Sequence, residues 1–117
     1  MGLSVQRGQV WVASFKPFRG REVGKARPCA ILQADWLTLE SPGTVIVLPL
    51  TSQLWAGAEA LRVEVPPRGR LRKPSWVMVD KIQALDAGRF SDGPLARLDD
   101  AEMALIEQKL QAVLGMV

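Results

Sequence analysis

The residues best suited to chemistry fall in two short stretches. One holds Arg21, Glu22, Lys25 and Arg27; the other is Thr51-Ser52. An arginine fork donates two parallel hydrogen bonds to the non-bridging oxygens of a phosphodiester. It also stabilises charge that grows on them during transfer. Threonine and serine hydroxyls add short donors to the same group. A glutamate among arginines can stay ionised and take a proton, or can only orient its neighbours. RNA carries its own nucleophile, the 2′-hydroxyl. A site has only to position it, accept its proton and hold the phosphorane. DNA lacks that route, so the inventory points to RNA. Taken singly, each residue has a plainer role. Glu22 can pair with Arg19, Lys25 or Arg27, Arg27 can be a solvated strand-edge charge, and Thr51-Ser52 can be a turn.

Other chemistries are harder to build. The 117 residues include no histidine, which removes His-based acid–base pairs, the Ser-His-Asp triad and the usual zinc sites. The single cysteine, Cys29, lies in the apolar run Pro28 to Leu32. It has no cysteine to bridge and no histidine to activate it, and reads as core in a reducing compartment. Asp80 and Asp86 stand six apart on a strand-like segment, a weak basis for a metal pair. No metal and no cofactor are expected. No glycine-rich phosphate loop leads into a helix, since Arg68-Gly69-Arg70 is basic and flanked by strands.

The net charge is +3 and unevenly spread. Five basic residues stand between Lys16 and Arg27, and five more between Arg62 and Lys73. From Asp92 to Glu107 the sign reverses, with five acids against Arg97. This pattern suggests a positive and a negative face, with ordinary solvated loops as the plainer alternative on charge alone. The length and the 48% apolar content predict one globular domain spanning residues 1–117. With no hydrophobic signal region and no bilayer-length apolar stretch, a soluble cytoplasmic protein without a membrane partner is expected.

The elements that must position these residues are mostly strands. Gln9 to Phe15, Pro28 to Leu32, Thr44 to Leu48, Leu61 to Val65 and Ser75 to Val79 are rich in β-formers and bounded by Pro or Gly. Ile82 to Leu85 predicts a short sixth strand. The continuous run Thr44 to Leu48 predicts burial on both faces. Leu54 to Ala60 is read as a short helical turn. At the end of the chain, Asp99 is the expected N-cap, with Glu102 completing a capping box. Met103, Ile106, Leu110, Val113 and Leu114 form one helical stripe, and Gly115 follows as a stop. Short strands followed by one helix predict a small curved sheet or barrel capped by a helix.

The order of the segments resembles a known family. Arg7-Gly8-Gln9-Val10-Trp11 is followed by the loop Gly20-Arg21-Glu22-Val23-Gly24-Lys25-Ala26-Arg27-Pro28. Then come the strand Thr44 to Ser52, the segment Leu71 to Ile82 and the stretch Asp86-Ala87-Gly88-Arg89-Phe90. Together they resemble the MazF/PemK toxins, endoribonucleases of type II toxin–antitoxin systems, over about residues 7 to 116. The resemblance implies a mainly β fold with α, a small SH3-like barrel with a C-terminal helix. It implies a homodimer that cuts single-stranded RNA without metal and a MazE-like antitoxin partner carrying an acidic segment. The family's catalytic positions match Arg27, Thr51 and Glu22. Substrate contacts are then expected from Arg21, Lys25, Ser52, Arg70, Lys73, Asp80 and Lys81. Arg21 and Met78 stand where Kid-like members carry His and Arg, so the acid–base assignment of that branch does not transfer. Lys81 replaces the family's usual Gln, which bears on sequence preference. Rival readings on the same fold are a CcdB-like gyrase poison and a non-catalytic nucleic-acid-binding module. The gyrase poisons use a C-terminal Trp, whereas this chain ends Leu114-Gly115-Met116-Val117.

Overall fold

A computed structural model describes residues 5–15, 25–41 and 43–117. Among these residues, seven strands form one antiparallel sheet: β1 (Gln9–Phe15), β2 (Lys25–Ile31), β3 (Thr44–Thr51), β4 (Arg62–Val65), β5 (Ser75–Met78), β6 (Gln83–Asp86) and β7 (Phe90–Arg97). The order is β4-β5-β3-β2-β1-β7, with β6 paired to the early part of β3. Helix α1 (Asp35–Glu40) joins β2 to β3, and α2 (Asp100–Val113) ends the chain.

Period-2 alternation divides the apolar residues between the two faces of the sheet. Val10, Ala30, Leu48 and Leu50 point to one face, where Val63, Val65, Val77 and Ile106 join them. Trp11, Ala13, Cys29, Ile31, Val45 and Val47 point to the other. The continuous apolar run in β3 is thus buried on both sides, as its composition predicts. Helix α2 covers the first face. Its Ile106 is fully buried, and Met103 and Leu110 pack beside it. Val113 and Leu114, expected on the same stripe, are instead exposed. The capping box forms as read: Asp99 accepts from the Glu102 N–H at 2.7 Å, and Glu102 accepts from the Asp99 N–H at 2.9 Å.

Two elements were absent from the sequence reading. Helix α1 has only six residues, no side-chain cap at Ala34, and Trp36 and Leu39 turned to solvent. It carries no amphipathic signal. Strand β7 contains Gly93-Pro94, which reads as a break. The backbone accommodates it at the sheet edge, with register shifts against β1. A Cβ at Gly93 would overlap the Trp11 ring, so glycine allows this close approach.

The two edges of the sheet meet through the β4–β5 connection. The Arg70 N–H donates to the Leu95 carbonyl of β7 at 2.7 Å. Gly69 sits there at φ +54°, and a Cβ would fall 2.7 Å from that same oxygen, so the turn requires glycine twice over. Arg7 ties the other side: its N–H donates to Asp35 at 2.7 Å, and its guanidinium donates to the Leu32 carbonyl and pairs with Glu107 of α2.

The expected separation into a positive and a negative face does not hold in the described residues. The basic and acidic segments pair with each other. Arg68 makes a two-pronged bond to Glu102 at 2.6 and 2.5 Å, and Arg70 pairs with Asp92 at 2.6 Å. The bond from Glu102 holds the Arg68 guanidinium above its ordinary pKa, against the opposing effect of burial. Local charge runs report composition, whereas the antiparallel fold brings distant runs together.

Candidate active site

Strands β2 and β3 bring the two stretches together. Their ladder pairs Ile31 with Val47, Ala30 with Leu48 and Cys29 with Pro49. Continuing that register sets Arg27 opposite Thr51. Neither Pro28 nor Pro49 can donate an N–H, so the ladder stops two residues short of this pair. Beyond the stop the strands take other partners: Arg27 stays on β1 opposite Ala13, and Thr51 pairs with Trp76 of β5. Where they part, an open cavity of about 530 Å³ is lined by Arg27, Thr51, Ser52, Gln53 and the 70–73 segment.

Four cations line this cavity, Arg27, Arg70, Arg72 and Lys73, and no carboxylate does among the described residues. Thr51 adds a directed donor. Its Oγ1 accepts from the Gln53 N–H at 3.2 Å, so the hydroxyl proton is left for another acceptor. Ser75 is buried and donates to the Lys73 carbonyl at 3.0 Å, which holds the cationic loop against the cavity. An anion with several acceptor oxygens is the ligand that this donor set fits.

Of the residues expected at the site, the structure gathers Arg27, Thr51, Ser52, Arg70 and Lys73 around this one cavity. Lys25 opens β2, opposite Phe15. Arg21 and Glu22 lie outside the described residues. Asp80 and Lys81 do not line the cavity. Asp80 instead accepts from Arg62 at 2.8 Å, and Lys81 stands 3.8 Å from it. Asp80 thus sits in a part-buried ion pair with Arg62, on the segment packed against α2. Gln53 and Arg72 were missed. Arg72 lay inside the basic segment, and its place next to Lys73 was the available signal. Trp36 and Trp55 are exposed, and neither lines the cavity. Burial pushes the Cys29 thiol up to about 12, against a smaller lowering by a backbone bond from Trp11, which leaves it inert. Among the described residues no group of three or more Cys, Asp or Glu side chains is placed to hold a metal ion, and no helix is long and apolar enough to cross a membrane.

A small curved sheet with a C-terminal helix and a cationic cleft at the β2–β3 divergence defines a class. Residues 6–114 match the family described as PemK-like, MazF-like toxin of type II toxin-antitoxin system, and the chain belongs to that family. Among individual relatives, it is 31% identical over 114 residues to endoribonuclease EndoA of Bacillus subtilis (strain 168), with 97% of each chain covered. Its fold matches the MazE-MazF crystal structure (Form-II) from Deinococcus radiodurans at TM-score 0.78 and 24% identity, covering 98% of this chain and 99% of that one. A mycobacterial endoribonuclease solved in complex with its cognate antitoxin matches at TM-score 0.74 and 23% identity, covering 97% and 98%. The fold is thus the MazF fold, as the resemblance implied.

Proposed function

We propose a route for the reaction of this MazF-like endoribonuclease toxin: cleavage of single-stranded RNA by attack of a 2′-hydroxyl on the adjacent phosphorus. Arg27 and Thr51 hold the non-bridging oxygens of the phosphorane. Glu22 accepts the proton of the 2′-hydroxyl. The P–O5′ bond breaks with Arg27 or a neighbouring cation supporting the leaving oxygen, which takes its proton from solvent water. The products are a 2′,3′-cyclic phosphate and a 5′-hydroxyl end. Arg21, Lys25, Ser52, Arg70 and Lys73 hold the flanking backbone. No step is routed through a metal.

One observation carries this reading. Arg27 and the Thr51 hydroxyl converge at a cavity with three further cations and, among the described residues, no lining acid. Growing negative charge on a phosphoryl group is what such a set stabilises. The chain acts as a single domain and as a homodimer in the cytoplasm. It is restrained by an antitoxin whose acidic segment covers the same cations, and the antitoxin complexes of its structural relatives support that partner class.

The test is cleavage of a long mixed-sequence single-stranded RNA in EDTA, with Arg27→Ala beside the wild type. Discrete cuts ending in cyclic phosphate are expected from the wild type, with at least a hundredfold loss in the variant. Cleavage by both samples, or none by a folded wild type, would overturn the route. The second result would return the gyrase-poison and non-catalytic readings.

A further inference from the structure

A second cavity adjoins the first. It measures about 300 Å³ and shares Arg70 and Leu95 with the cationic cavity. Pro94, Leu95 and Ala96 of β7 give it an apolar lining, the Gly69-Arg70 turn bounds one side, and Gln9 and Arg97 complete it. Gln9 is its unusual member. It is a buried polar residue, 9% exposed. Its Oε1 accepts from the Gln6 N–H at 2.9 Å and from the Trp11 indole N–H at 2.8 Å. Both partners are donors only, so the amide has one possible orientation, with the oxygen toward them. The NH2 must then face away, and it has no acceptor among the described residues. Gln9 lines the cavity, and its NH2 is the group it can offer there.

We propose that this cavity receives a nucleobase next to the scissile phosphate, and that Gln9 reads it. This rests on the reaction proposed above and extends it to specificity. The occupant follows from continuity with the cationic cavity, and from an apolar lining between two arginines that suits a flat ring on a backbone of negative charge. A free glutamine amide can both donate and accept, and so matches adenine. Here the oxygen is already engaged, so Gln9 can only donate. The base it prefers presents a carbonyl oxygen at that edge, guanine or uracil. An exocyclic amino group there would set donor against donor. The site therefore selects keto bases over amino bases at one position beside the cut.

Gln9→Glu is the sharp perturbation. The carboxylate still accepts from Gln6 and Trp11, but it presents an acceptor where the wild type presents a donor. Cleavage of a randomised single-stranded RNA pool, followed by sequencing of the new ends, reads base frequency at each position. Those frequencies are internal ratios, so a lower overall rate does not disturb them. The wild type is expected to favour guanine or uracil at one position next to the cut. In the variant that preference falls by about five- to tenfold, or turns toward adenine or cytosine. Unchanged frequencies at every position would overturn the assignment while leaving the reaction standing. A wild type that cuts no RNA would overturn the reaction itself. The side-chain NH2 resonance of Gln9 in the wild-type protein gives a second readout, independent of whether the variant folds. It is expected to shift on titration with an oligonucleotide bearing a 2′-deoxy sugar at the cut site. Its staying fixed while the Arg27 side chain responds would also overturn the assignment.

Discussion

Replacing Asp80 separates a structural carboxylate from a functional one. Its partner Arg62 has a side chain only 10% exposed, and Asp80 itself is 24% exposed. The Arg62 Nε is buried without a partner among the described residues, and its Nη1 divides between Asp80 at 2.8 Å and the Leu61 carbonyl at 3.0 Å. Asp80 is therefore the counter-charge that makes this burial tolerable. Removing one partner of a fully buried pair costs about 3–5 kcal/mol. Water reaches a quarter of Asp80, so Asp80→Ala is expected to cost about 2–3 kcal/mol. For a chain of this length each kcal/mol is about 4 °C in Tm, which predicts a fall of about 8–12 °C. Asp80→Asn keeps the volume and one acceptor oxygen, and should lose about half as much. The assay is urea unfolding followed by tryptophan fluorescence, with RNA cleavage measured per folded molecule at a temperature where all variants are native. Arg27→Ala should show the opposite pattern, with stability within about 0.5 kcal/mol of wild type and cleavage lost. An Asp80→Asn protein of wild-type stability with cleavage down a hundredfold would refute the structural assignment and return Asp80 to the site.

Two further perturbations test the packing. Glu102→Ala removes the back-bond of the capping box and both prongs to Arg68. It should lower the urea-unfolding free energy by about 2 kcal/mol, with the loss concentrated in the first turn of α2 when followed by hydrogen exchange. Burial holds the Cys29 thiol near pKa 12 against an ordinary 9.0, so folding favours its protonated form. That contribution is whole below about pH 9 and is lost as pH rises from there toward 12. Iodoacetamide at pH 8 should leave native Cys29 unmodified and label it once urea unfolds the chain. Labelling of the native protein at the unfolded rate would contradict the burial.

What was legible in the sequence follows physical lines. Strand β3 announced itself because burial on both faces requires an unbroken apolar run, and few other structures do. Helix α2 was legible because the Asp99–Glu102 capping box is a local interaction written in local residues. Helix α1 was hidden because six residues with exposed Trp36 and Leu39 owe their shape to neighbours, not to periodicity. Strand β7 was hidden because Gly93-Pro94 forbids a central strand but not an edge. The site divides the same way. Arg27 and Thr51 were singled out by the family resemblance, since each alone reads equally as a strand-edge charge or a turn residue. Asp80 could not be placed, because nothing near it in sequence tells that Arg62, eighteen residues earlier, lies across from it.

The same long-range pairing explains how one basic segment serves two ends. Of the five cations from Arg62 to Lys73, Arg62 is held by Asp80, Arg68 by Glu102 and Arg70 by Asp92. Arg72 and Lys73 have no acid partner among the described residues, and both line the cationic cavity. The three pairs are not equal. The first two are mostly shielded and secure β4 and α2. The Arg70–Asp92 pair is exposed at 57% and 50%, in the range where such pairs contribute about 0–1 kcal/mol. A phosphate entering the cavity can draw Arg70 from Asp92 at little cost. Arg70 also lies on the boundary with the Gln9 cavity. Arg70 is thus the paired cation of the segment most free to follow an RNA substrate, and on the proposed reading it lies where backbone and base would part.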